Sequence, residues 1–357
     1  MSAAPMDDRA ESIRMIRDSA AAVAPPGGEL KRVRDLRFQD PGFDAGVFRQ
    51  MGEMGWIGLR LPEALGGAGL GLGEACALAE ELGAGLVPEP LIPAMLSAGL
   101  LAAAGGKGAL PVLLAGEVVV LTAWQEHPDT LEVPGTPDAS RRFLPMAAGA
   151  DFFLVPQQEG GRLALYELSA ARSAVTVERT QDGGNLGMLT PNLREATKLA
   201  DDIGPALAEA LDEAALLTGA YLLGGMERAF AMTLDYLRTR QQFGRIIGTF
   251  QALQHRAADV KMQIALTRAS IESAAAALDA GASGDARRAA VSRAKARAAD
   301  AAMRVTRECI QLHGGIGYTD QYDVGLYLRK AMVLTNQYGS AALHRRRFMA
   351  VSPKVEE

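Results

Sequence analysis

The sequence predicts a mainly α-helical protein with a small β domain in the middle, and three changes of texture along the chain carry that expectation. Residues 1–108 are rich in Ala, Leu and Glu between short Pro and Gly breaks. Residues 109–190 hold short apolar or alternating runs, and residues 191–357 return to long amphipathic stretches. Apolar residues three and four apart favour helices, whereas short alternating runs bounded by turn residues favour strands. The expected organisation is an N-terminal α-helical domain (1–108), a middle β domain (109–190) and a C-terminal helical bundle (191–357).

In the first zone, Val47, Phe48, Met51 and Met54 keep helical spacing and stop at Gly55. Glu74 to Leu82 reads as another short helix closed by Gly83. In the second zone, Val118–Thr122, Phe152–Val155 and Leu163–Leu168 read as strands, and Glu159-Gly-Gly-Arg162 as a hairpin turn. In the third, Leu253, Ala257, Val260, Ile264 and Ile271 form one apolar stripe. The Ala/Arg-rich block from Asp285 to Leu312 has strong helix propensity, and Gly281–Gly284 separates it from the preceding helix. Long amphipathic helices with short links predict an up-down bundle.

Bulk properties narrow the function classes. The 357 residues suffice for two or three domains, and 48% hydrophobic with 22% charged residues is ordinary for a globular chain. A net charge of −5 argues against general nucleic-acid binding, which needs a basic face. Arg345-Arg346-Arg347 reads as a solvated helix end or a local anion site. Cys76 and Cys309 give neither a disulfide framework nor metal-ligand spacing, so no metal is expected. Met1-Ser-Ala-Ala-Pro-Met-Asp-Asp8 lacks a basic stretch followed by an apolar core, so no secretory signal is expected. The longest apolar run, Ala214–Met226, is too short to span a bilayer, and a cytoplasmic location without membrane association is the expectation.

Two segments carry the strongest chemical signal. Arg240-Gln-Gln-Phe-Gly244, continuing to Gln251, joins two helices through a Gly-containing turn. There Arg240 offers either a planar cationic fork for phosphate or a helix cap. About 70 residues later, Gln311-Leu-His-Gly314-Gly315-Ile-Gly317 ends a helix with backbone N–H groups open to close approach. Because that turn follows a helix rather than a strand, it fails as a Rossmann fingerprint.

Together these segments resemble the acyl-CoA dehydrogenase family, and the resemblance runs over nearly the whole chain. Gly55-Trp-Ile-Gly-Leu-Arg-Leu-Pro62-Glu63 is similar to the family's N-terminal signature, and Leu110-Pro…Ala-Gly116-Glu117 to the entrance of its middle domain. Gln254-His255-Arg-Ala-Ala-Asp259 continues its flavin-site helix. The resemblance implies a helical domain, a small β domain and a C-terminal four-helix bundle, with FAD between domains and across a subunit interface. It implies α,β-dehydrogenation of an acyl-CoA thioester, a place in lipid metabolism, and a homotetramer or heterotetramer. Electron-transfer flavoprotein is a candidate partner. Matched residue by residue, Arg240, Gln242, Phe243, Ile247 and Gln251 correspond to positions holding the adenosine-pyrophosphate end of FAD. Gln311, Gly314 and Gly315 match a second cofactor segment, and Ser340 a residue near the flavin.

Three departures set the chain apart within that resemblance. The family's usual base is a glutamate where this chain has Tyr338, in Tyr338-Gly339-Ser340. A phenol with an ordinary pKa near 10 needs a strong downward shift to act as a base, so Tyr338 reads as either a catalytic or a packing residue. The family's alternative base position, on the first bundle helix, is Ala214; Glu213 beside it is the remaining candidate base or a solvated helix-start acid. The family's flavin-contacting loop is shortened here to Trp124-Gln-Glu126-His-Pro-Asp-Thr130. Shortened relatives sharing Leu86-Val-Pro-Glu-Pro90 often work in heteromeric pairs, some acting on bulky steroid side-chain thioesters. The resemblance therefore implies either a dehydrogenase or a non-catalytic partner subunit that lacks its own base.

Overall fold

A computed structural model describes residues 5–351; residues 1–4, which belong to the stretch read for a secretory signal, lie outside the described residues. The chain runs helical, then β, then helical, as the three textures predict. The first part contains α1 (Pro5–Ala20), α2 (Lys31–Leu36), α3 (Ala45–Glu53), α4 (Leu72–Ala84), α5 (Leu91–Ala103) and α6 (Leu110–Leu114). Seven strands follow: β1 (Val120–Thr122), β2 (Arg141–Pro145), β3 (Phe152–Glu159), β4 (Arg162–Ser169), β5 (Ala174–Arg179), β6 (Asn185–Thr190) and β7 (Thr197–Ala200). The last part holds α7 (Gly204–Thr239), the two-residue strands β8 (Gln241–Gln242) and β9 (Arg245–Ile246), then α8 (Gln251–Asp279), α9 (Gly284–His313), α10 (Val324–Leu334) and α11 (Ala341–Val351). Two compact units gather these elements, one comprising the segments up to Leu30, Leu72–Val87 and Ala215 onward, the other Lys31–Gly71 and Pro88–Ala214.

The β-containing unit has a four-stranded sheet in the order β1-β3-β4-β7 and a three-stranded sheet in the order β2-β6-β5. The expected hairpin forms between β3 and β4, where Glu159 pairs with Arg162 and both intervening glycines have positive φ (Gly160 +55°, Gly161 +84°). That is the primed two-residue turn matching strand twist. The sequence left β2, β5, β6 and β7 unassigned; β5 is exposed along most of its length, so no buried alternation marks it. Helix α3 starts where Asp44 caps it, its Oδ1 accepting from Gly46 N at 2.7 Å. Glu89, in the Leu86–Pro90 element, is buried and holds Arg32 of α2 at 3.1 Å and Asp44 N at 3.1 Å. It ties α2 and the start of α3 to one carboxylate.

In the helical unit, α9 is the central element, packed against α8, α10 and α11. Its buried face is largely alanine (Ala290, Ala294, Ala298, Ala301, Ala302), which lets neighbouring helices approach closely. The predicted stripe on α8 is real where it matters: Val260, Ile264 and Ile271 are buried. Helices α4 and α7 meet backbone to backbone at two glycines. A Cβ on Gly83 would lie 1.9 Å from Tyr221 O, and one on Gly224 would lie 1.7 Å from Glu80 O. Buried Glu80 accepts from Arg17 (2.7 Å) and Arg268, and Arg268 also reaches Glu227 at 2.8 Å. Among the described residues, Cys76 and Cys309 are buried and form no disulfide, and no helix is long and apolar enough to cross a membrane.

Candidate functional site

The Arg240 segment is more ordered than a simple helix-to-helix turn. After α7 ends at Thr239, Gln241 pairs with Ile246 and Gln242 with Arg245, and Ile247 N donates to Arg240 O at 2.9 Å. The turn residues Phe243 (φ +52°) and Gly244 (φ +79°) are both left-handed. Phe243 is 91% exposed at the tip, its ring edge-on to Phe250 at 6.2 Å, while the Arg245 guanidinium sits 4.1 Å above Phe250. Arg240 and Gln242 are exposed, Ile247 is half-buried, and Gln251 opens α8. Arg240 has no ion-pair partner among the described residues, which leaves its exposed guanidinium available to an anion.

The Gly314 segment is brought to the same end of the helical unit. His313, the last residue of α9, stacks on Tyr236 of α7 at 4.6 Å and tilts against Tyr322 at 4.8 Å. Its Nδ1–H donates to Cys309 O at 2.7 Å, and burial pushes its pKa below the ordinary value against the opposing pull of that hydrogen bond. The ring is therefore a neutral aromatic spacer. Gly314 turns the chain with φ +66°, and Cβ atoms on Gly244, Gly314 or Gly315 would meet nothing within 4 Å. An unpaired guanidinium and glycines with free space for close approach fit a diphosphate-bearing cofactor such as FAD.

Gln311 also lines a groove of about 830 Å³ with Arg256, Arg304, Arg307, Tyr318 and Leu328. Arg256 is ion-paired to Glu308, whereas Arg304 and Arg307 have no ion-pair partner among the described residues. Sequence reasoning missed both arginines, although positions 304, 307 and 311 fall on one helix face and could have been read from spacing alone.

Tyr338 and Ser340 occupy a different place. Tyr338 is buried, and burial drives its phenol well above the ordinary value of 10, opposite to the direction a base requires. Tyr338 (φ +54°) and Gly339 (φ +96°) form consecutive left-handed residues, and Ser340 Oγ accepts from Leu343 N at 3.1 Å to start α11. The turn is gripped by Lys295 of α9, fully buried, whose Nζ donates to Leu334 O (3.3 Å), Thr335 O (3.0 Å) and Gly339 O (3.1 Å). Lys295 lies sixteen residues before Gln311, about 24 Å along a helix rising 1.5 Å per residue. The Ser340 turn and the Gln311 segment therefore sit far apart on α9.

Burial pulls the Lys295 amine below its ordinary value, and the three carbonyls that accept from it are the set that the three donors of an ammonium satisfy together.

The other candidate base is in the β-containing unit. Glu213 is held by a forked contact from Arg60, Nη2 to Oε1 at 3.1 Å and Nε to Oε2 at 3.4 Å, with Arg60 Nη1 on Leu70 O at 3.0 Å. Both its oxygens are engaged, and neighbouring Ala214 is buried. Glu126, in the shortened loop, points into the protein: Oε1 accepts from Thr136 N at 2.8 Å and pairs with fully buried Arg141 at 3.2 Å. Phe143, which the sequence did not single out, is left-handed (φ +59°) and part-exposed within the irregular register of β2.

Comparisons with known proteins agree across the chain. The acyl-CoA dehydrogenase N-terminal domain model matches residues 10–107, and the acyl-CoA dehydrogenase C-terminal domain model matches residues 205–352. Acyl-CoA dehydrogenase IpdE2 of Mycolicibacterium smegmatis is 31% identical over 336 residues, covering 93% of this chain and 94% of that protein. Among solved structures, a variant of the Tcur3481–Tcur3483 steroid ACAD superposes with TM-score 0.84 at 28% identity, over 96% of this chain and 98% of that one. The ChsE4–ChsE5 complex from Mycobacterium tuberculosis gives TM-score 0.84 at 26% identity, with the same coverages.

Proposed function

The chain belongs to the acyl-CoA dehydrogenase family of FAD-dependent oxidoreductases, and from that premise we propose that it serves α,β-dehydrogenation as a flavin-holding subunit of a heteromer. In this reading the carboxylate that takes the substrate's α-proton belongs to a partner subunit. The observation that carries it is Tyr338: a buried phenol held protonated stands where the base is expected. Ala214 offers no proton acceptor at the alternative position, and Glu213 is committed to Arg60.

FAD, when bound, supplies the acceptor for the β-hydride. Arg240 would neutralise its diphosphate, Gln242, Phe243, Ile247 and Gln251 would border the adenosine end, and Gln311, Gly314 and Gly315 would offer side-chain and main-chain contacts. Ser340 would face the flavin of the other site, in keeping with its distance along α9 from Gln311. Assembly as a heterotetramer gives both segments a cofactor to serve. The two structural relatives whose names give paired chains favour that assembly, and one of them is named a steroid enzyme. A bulky, steroid-like acyl-CoA is accordingly our proposed substrate class, with electron-transfer flavoprotein as acceptor and the cytoplasm as location.

The test is a pair of substitutions in the chain co-expressed with candidate partner chains of the same family. Tyr338→Phe and Glu213→Gln should each leave acyl-CoA-dependent flavin reduction within about threefold of wild type. Loss of a true general base costs about 10²-fold or more. A loss of that size in either variant would return the base to this chain.

A further inference from the structure

We propose that Lys295 is a positioning residue for the cofactor site, fixing the Tyr338-Gly339-Ser340 turn by hydrogen bonds from one ammonium group to three main-chain carbonyls. The inference rests on the reading that this turn borders the flavin, and it adds a residue to which no motif pointed.

The geometry is specific. Leu334 ends α10, and the last carbonyls of a helix have no partner within it. Lys295 Nζ reaches Leu334 O and Thr335 O and, with the same group, Gly339 O on the far side of the turn. An ammonium has three donors, so the set fixes both ends of a six-residue segment to one point on α9. Three residues earlier on α9, Ser292 lies 3.3 Å from His344 Nδ1, and His344 Nε2 lies 2.8 Å from Tyr338 O. Because a carbonyl can only accept, Nε2 carries the proton and Nδ1 accepts from the Ser292 hydroxyl. One face of α9 thus holds the carbonyls of both left-handed residues, Gly339 directly through Lys295 and Tyr338 through His344 of α11, which Ser292 orients.

No carboxylate is among the hydrogen-bond partners of Lys295. A buried cation without an ion pair is a poor route to stability, since an apolar side chain of similar length would avoid its desolvation. What the ammonium provides that an apolar residue does not is a defined position for the turn. A left-handed tyrosine is strained and persists only where neighbouring contacts dictate it.

Four variants of the chain in its assembled complex test this: Lys295→Met, Lys295→Arg, His344→Leu and His344→Gln. Lys295→Met should keep wild-type circular dichroism and subunit composition but bind FAD about tenfold more weakly, the loss of roughly one effective hydrogen bond. Its flavin reduction by acyl-CoA should slow about 10²-fold, the effect of a displacement near 1 Å, with acyl-CoA KM little changed. Lys295→Arg, which keeps the charge but not the compact donor set, should resemble Lys295→Met. His344→Leu should follow the same pattern, and His344→Gln, which keeps an N–H donor, should recover most of the rate. Wild-type FAD affinity and reduction rate in Lys295→Met, whatever its melting temperature, would overturn the proposal. If Lys295→Met fails to fold, equal behaviour of His344→Leu and His344→Gln would overturn it instead. A wild-type complex that no acyl-CoA reduces would refute the functional reading, while FAD affinities would still report on the turn.

Discussion

Glu126→Ala should destabilise the protein by about 3–5 kcal/mol, the cost of leaving a buried charge without its partner. Arg141 is fully buried, and Glu126 is its carboxylate partner, 3.2 Å away. The guanidinium otherwise donates to Ala139 O (2.7 Å), Thr136 O (3.1 Å) and Pro156 O (3.3 Å). Burial already lowers the pKa of Arg141, and Glu126 is the charge that opposes the shift. Removing Glu126 also strips Thr136 N of its acceptor. The double substitution Glu126→Leu with Arg141→Met removes both charges together and should recover most of the loss. Urea midpoints for the two variants distinguish the cases; a Glu126→Ala cost below about 1 kcal/mol, the range of an exposed pair, would show that water reaches this site.

The second large effect is expected from Gly224→Ala. A Cβ there would lie 1.7 Å from Glu80 O, and a main-chain carbonyl in the middle of α4 cannot swing aside as a side chain would. Helices α4 and α7 would have to separate by more than 1 Å, disturbing Glu80 and its contacts with Arg17 and Arg268. The cost should reach about 3 kcal/mol or more, at the upper end of overpacking. Gly99→Ala is the control: this α5 glycine has open space around its Cβ, and alanine there should stabilise by about 0.5–1 kcal/mol. Thermal unfolding of both variants checks the pair, and a Gly224→Ala cost below about 1 kcal/mol would contradict a backbone-to-backbone crossing of α4 and α7.

Much of the fold was legible because it rests on local pattern. The stripe through Val260, Ile264 and Ile271 is a period that one segment displays by itself, and Glu159-Gly-Gly-Arg162 carries its turn chemistry in four residues. Strands β8 and β9 were not legible because two residues cannot show a period. The segments proposed to hold the cofactor stood out by motif, yet their proximity depends on Tyr236 stacking on His313, a contact between residues 77 positions apart in sequence. Lys295 escaped notice for a physical reason. In an Ala/Arg-rich helix it reads as one more solvated cation, and only the turn some forty residues later buries it. Glu126 was visible as an acid in the shortened loop after Trp124, but its turn inward depends on Arg141, which the sequence could not place.

The most direct test of the account is anaerobic flavin reduction, followed by bleaching of the flavin absorbance, in the chain alone and in its complex with a partner of the same family. If the base lies outside this chain, the chain alone, even with FAD bound, should not be bleached by an acyl-CoA that rapidly bleaches the complex. Bleaching of the isolated chain at a rate matching the complex would contradict the account and place the proton-abstracting group within these 357 residues.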